Sequence, residues 1–150
     1  MKSFNSTVHI VIAFILISAT AWMQNEISLK NEDDTKPLKE LMQDLLTDMG
    51  KINEAIMYRD FDKMESAADR IAHHPKITDE ERQMIARQLG SEMKTFVSFD
   101  VMVHNYADSL SKAAQQQKLR KAVTHFNVIQ TNCVNCHEFS REKIRAFNDR

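Results

Sequence analysis

From Leu38 onward the apolar side chains recur at steps of three and four. Leu38, Leu41, Met42, Leu45, Met49, Ile52 and Ile56 line one face of a first helix, over about 36–57. Thr35 is placed to cap it, and Pro37 falls in its first turn, where a missing N–H costs nothing. Asp60 caps a shorter second helix whose inner face is Phe61, Met64, Ala67, Ala68 and Ile71, and Pro75 stops it. Thr78 and Glu81 read as a capping box, each side chain answering the other residue's backbone N–H. They open a third helix with the stripe Ile85, Leu89, Met93, Phe96, Val103, Leu110. Its segment Phe96–Val103 is apolar around most of its circumference, which keeps a strand open there as the lesser reading. Beyond the polar stretch Gln115–Lys118, helical spacing returns with Leu119, Val123, Phe126, Ile129, Cys133, Cys136, Ser140, Ile144 and Phe147. Four one-sided helices joined by short links predict an all-α fold: an antiparallel up-down-up-down four-helix bundle over residues 36–150.

Composition agrees, because two glycines and two prolines in 150 residues encode few turns. The N-terminus is different in kind. Lys2 precedes an uncharged apolar run from Val8 to Met23, with Ala19-Thr20-Ala21 as a small-x-small cleavage site. Residues 1–21 are therefore expected to be a secretory signal peptide or an uncleaved anchor, and 22–35 a polar tail. Both readings place the domain outside the cytoplasm, with membrane contact only through that anchor. Twenty basic residues stand against 21 acidic ones with no basic cluster, so nucleic acid is not an expected partner.

Both cysteines of the chain lie in Cys133-Val134-Asn135-Cys136-His137, the C-x-x-C-H pattern of c-type haem attachment. Positions three and four apart share a helix face. Two sulfurs can then form thioethers to one porphyrin while the imidazole of His137 reaches its iron. A thioredoxin-type redox pair would use the same cysteines, but it needs a strand leading into a helix, and no βαβ pattern exists here. A structural zinc needs two further ligands, and His73, His74, His104 and His125 supply neither a second C-x-x-C nor an H-x₃₋₅-H pair. His104, on the third helix, reads as hydrogen-bonded at a bundle seam. Gly50, in the middle of the first helix, signals either close approach of a bound haem or a facing helix, or a tolerated accident.

The Cys133–His137 motif near the end of the last helix, the four-helix layout and Leu41-Met42-Gln43 in the first helix together resemble the cytochrome c prime family. The resemblance covers about residues 36–148. It implies one covalent haem c on Cys133 and Cys136, with His137 on the iron. In the family's low-spin branch a methionine early in the first helix is the sixth ligand, and Met42 is the matching position; Met49, seven residues on, is its competitor. The implied role is that of a periplasmic electron carrier, not an enzyme, shuttling single electrons between redox partner proteins. A homodimer through the first two helices is implied as well. The family's high-spin branch, with an open iron face, instead implies nitric oxide or carbon monoxide binding. Family members tend to carry an aromatic three residues after the histidine, whereas this chain has Phe139 at two and Ser140 at three. Arg141 stands one helical turn after His137, near enough to serve the imidazole or a propionate, or simply to be solvated.

Overall fold

In the computed structural model, residues 35–148 are described, and the expected signal or anchor and most of the polar tail lie outside them. The described chain is an all-α bundle: α1 (Leu38–Tyr58), α2 (Phe61–Ala72), α3 (Asp79–Leu89), α4 (Met93–Gln115) and α5 (Leu119–Asn148). A single 3₁₀ turn, Gly90–Glu92, stands between α3 and α4. Two short strands, β1 (Thr35–Lys36) and β2 (Lys76–Ile77), pair in parallel and clasp the start of α1 to the link before α3. Phe96–Val103 lies wholly within α4, so the strand reading of that segment is overturned.

The third expected helix is two. Its stripe continues through Ile85, Leu89, Met93 and Phe96 without a slip in register, but Gly90 adopts φ +52° and ψ −120°, a conformation that only glycine enters cheaply, and the helix breaks there. Gly50 behaves otherwise: α1 is continuous through it, and a Cβ there would meet nothing within 4 Å. Among the described residues no facing helix approaches it closely.

The link from α1 to α2 and the link from α4 to α5 are closed by backbone. At the end of α1 the Asp60 N–H donates to Ala55 and the Arg59 N–H to Ile56, while Arg59 turns left-handed. At the end of α4 the same pair recurs, from Lys118 to Ala113 and Gln117 to Ala114, with Gln117 left-handed. Both are Schellman turns made without glycine, which costs each residue about 1 kcal/mol of backbone strain.

The start of α1 departs from expectation. Thr35 belongs to β1 and does not cap; Pro37 takes the cap position with no side-chain bond of its own. The orphan N–H of Leu38 is satisfied from a distance by Glu81 of α3 (2.8 Å). The Thr78 hydroxyl accepts from the Glu81 N–H (3.3 Å), as a capping box requires. Glu81 does not complete the box on the Thr78 backbone; its carboxylate joins the beginnings of α1 and α3 instead.

Two apolar cores result. The larger is built on Ile52, Met64, Ile71, Leu110 and Ile129, with Leu45, Met49 and Cys133 packed against it. Alanines at 55, 67, 68, 107, 113, 114 and 122 let α1, α2, α4 and α5 approach closely. The smaller core, Ile85, Leu89 and Ile144 with Leu38 and Phe96 against it, gathers the starts of α1 and α4, the second half of α3 and the far end of α5. Among the described residues no helix is long and apolar enough to cross a membrane.

Among the described residues one charged side chain is buried. Asp48, 6% exposed, accepts from Arg70 Nε at 3.1 Å and from Lys51 Nζ at 2.9 Å, which ties α1 to α2. Burial pushes its carboxyl up, but the Arg70 and Lys51 hydrogen bonds outweigh this and hold it below the ordinary value. A carboxyl whose folded pKa is depressed adds stability above its unfolded value, and loses it as pH falls through the lower folded one. Asp48→Asn is expected to cost roughly 2 kcal/mol at pH 7. The wild-type advantage over Asp48→Asn should shrink below about pH 4. Urea midpoints of the two proteins at pH 7 and pH 3 check this; an equal gap at both would assign the loss to packing.

Candidate haem-attachment site

The 30-residue α5 carries the whole C-x-x-C-H motif in continuous helix, because no proline or glycine interrupts Leu119–Asn148. Cys133 and Cys136 are half-buried and free, with no disulfide between them. They differ in setting. Cys133 packs against the larger core. Cys136 stands over the buried Ser140, whose hydroxyl donates to the Cys136 carbonyl at 2.7 Å and lies 3.9 Å from its sulfur. Burial pushes both thiols up; the neighbouring Cys136 adds to the rise at Cys133, while at Cys136 Ser140 opposes it and Asp100 adds to it. Both are thus protonated at neutral pH, which favours inert thiols over a thioredoxin-like reactive pair.

His137 lies on the exposed side of the same helix, beside the half-exposed Val134. The ring of Phe139 turns to the α4 side, 5.9 Å from Phe99, with the Lys143 ammonium 4.3 Å from its centroid. Ser140, where the resembled family tends to place an aromatic, is buried, 3% exposed. Arg141 is exposed.

The helix therefore brings Cys133, Cys136 and His137 together by its own pitch. Met42 comes from another element, one turn into α1, is 36% exposed and packs in neither core. Met49, its competitor, is half-buried against the same core as Cys133. The set fits a covalently held porphyrin: two thiols and an imidazole at one pitch on one helix, both sulfurs reachable and neither already bonded.

A second group of ligating side chains was not foreseen. His74, from the link after α2, meets Asp100 and His104 of α4, with one ligand atom from each all within 4.8 Å of one another. His104 is hydrogen-bonded at a seam, as its position suggested, to the Ala72 carbonyl. Its partner His74 is 30 positions away, and no local spacing could have joined them.

No protein family model matches this chain, no curated protein is similar to it, and no solved structure matches it.

Proposed function

We propose that this chain is an exported, monohaem c-type cytochrome that carries single electrons between redox partner proteins in the periplasm and catalyses no reaction of its own. The observation that carries the reading is the placement of Cys133, Cys136 and His137 at one helical pitch on α5 with both thiols free. In it, Cys133 and Cys136 hold haem c by thioethers and His137 ligates its iron. When bound, the haem supplies reversible one-electron Fe(III)/Fe(II) chemistry. The chain's own part is positional. The core behind Cys133 fixes one sulfur against rigid packing, and the Cys136–Ser140 contact fixes the turn that presents His137.

The same reading takes the helices as an up-down-up-down bundle, α3 and α4 forming its third member, and as a variant of the cytochrome c prime arrangement. The cores support antiparallel passage of α1 and α5. Leu38 shares the smaller core with Ile144, while Leu45 and Met49 pack in the larger one beside Cys133. Met42 is four residues past Leu38, about 6 Å along α1, and His137 seven before Ile144, about 10 Å along α5. Met42 and Met49 thus bracket the level of His137, and Met42, unburdened by core packing, is free to turn to iron as the sixth ligand. An axial methionine would raise the reduction potential and leave no open coordination site.

The exposure of Met42 also favours a second reading, in which it stays in solvent and a five-coordinate haem binds nitric oxide or carbon monoxide. Optical and EPR spectra separate the two. The electron-transfer reading expects low-spin ferric haem and a ferrous form inert to carbon monoxide. Met42→Ala should turn the iron high-spin and carbon monoxide-reactive with little loss of fold stability. A low-spin Met42→Ala protein paired with a high-spin Met49→Ala protein would transfer the ligand to Met49, and a high-spin wild type would select gas binding.

A further inference from the structure

His74, Asp100 and His104 form a three-sided polar cluster that haem attachment does not use. Each imidazole is fixed at Nδ1 by a backbone carbonyl, His104 by Ala72 at 2.5 Å and His74 by Pro75 at 2.7 Å. A carbonyl only accepts, so both rings must donate from Nδ1, and in the neutral ring Nε2 is left with a lone pair. Those two Nε2 atoms face the two oxygens of Asp100, each at 3.6 Å. Acceptor then stands against acceptor, which is unstable without a positive charge between them.

A proton on each ring is one way to supply that charge, but an imidazolium–carboxylate hydrogen bond closes to about 2.7–2.9 Å. At 3.6 Å each contact is a long ion pair and not a closed hydrogen bond of that kind. Tetrahedral metal–ligand bonds of about 2.0–2.1 Å set neighbouring ligand atoms about 3.4 Å apart. The two Nε2 atoms stand 3.6 Å from one or the other Asp100 oxygen, and the three ligand atoms lie within 4.8 Å of one another, a set that a small closure would bring to that spacing. The Nε2 atom of His74 is buried and has no hydrogen-bond partner, so its lone pair is unanswered within the protein. The rings lie 4.3 Å apart, tilted by 34°, and Asp100 is 53% exposed, which leaves an entry from solvent. Carbonyl-anchored Nδ1 atoms are the usual outer support of histidine metal ligands, setting tautomer and ring direction.

We propose that His74 Nε2, His104 Nε2 and an Asp100 oxygen bind a divalent transition ion of the zinc class, with water completing the tetrahedron. Two imidazoles and one carboxylate suit zinc and its neighbours, and disfavour calcium and magnesium, which prefer all-oxygen sites. The ion would staple the link after α2 to the middle of α4, independently of any haem.

The test uses the purified protein with Cys133 and Cys136 blocked, by haem if attached and by iodoacetamide if not, so that thiols cannot contribute. Zn²⁺ titrated by calorimetry should bind with one-to-one stoichiometry and raise the thermal midpoint, and His74→Ala, Asp100→Asn and His104→Ala should each weaken binding at least tenfold. His73→Ala, an exposed neighbour, should leave it unchanged. If His104→Ala fails to fold, His74→Gln, altered in a link rather than a helix, decides. Absence of stoichiometric binding by the wild type, or binding that survives His74→Gln, overturns the site.

Discussion

Replacing Cys133 and Cys136 together by alanine is expected to abolish covalent haem completely while leaving the bundle folded. Neither sulfur makes a structural bond: both are free, and the contact of Cys136 with Ser140 is a long one at 3.9 Å. Cys133 packs against the larger core, so its truncation removes one polarizable atom from a boundary position, and the cost should stay within about 1 kcal/mol. A haem stain on a denaturing gel reads the first effect and the far-ultraviolet dichroism reads the second. Retained haem in the double variant would mean attachment elsewhere. Loss of helicity would mean that the cysteines are structural residues after all.

The largest expected stability effect lies at another methionine. Met64 of α2 is fully buried in the larger core, which is rich in alanine. Met64→Ala should cost about 2–5 kcal/mol, the lost burial of the side chain plus the cavity left where the packed core cannot fully close. A fall of roughly 10 °C or more in the thermal midpoint is expected, with no change in iron spin state. Met42→Ala is its mirror image: a half-exposed side chain whose loss should alter the spectrum and hardly touch the midpoint. Measuring both properties on both variants separates a core methionine from a ligand. A Met64→Ala protein of wild-type stability would show that the core collapses around the gap.

What could be read from the sequence followed the helical period. The inner faces of α1, α2, α4 and α5 are legible because burial selects apolar side chains at steps of three and four, and Met64, Ala67, Ala68 and Ile71 fall inside as their spacing requires. Where backbone conformation decides, the pattern is silent. The stripe from Ile85 to Phe96 crosses the break at Gly90 without a mark, since a kinked pair of helices can keep one apolar face. Arg59 and Gln117 take the left-handed turns usually given to glycine, so neither turn carries its signal.

Tertiary polar contacts were hidden for a related reason. Asp48, seven residues after Leu41 and four before Ile52, falls on the buried face of α1, but the Arg70 that answers its charge is 22 positions away and no local spacing announces it. Glu81 leaves half of a local capping box to cap a different helix. The meeting of His74 with Asp100 and His104 depends on where the link after α2 lands on α4. The cysteine motif is the opposite case, because its three groups lie within five residues and helix pitch alone aligns them.

The covalent link itself gives the most direct test. The chain should be expressed with its N-terminal segment in a host equipped for c-type haem attachment, and the intact mass of the exported product measured. The account predicts the polypeptide plus one haem, retained through acid–organic extraction and located by peptide mapping on Cys133 and Cys136. A product at the bare polypeptide mass with two alkylatable thiols would contradict it.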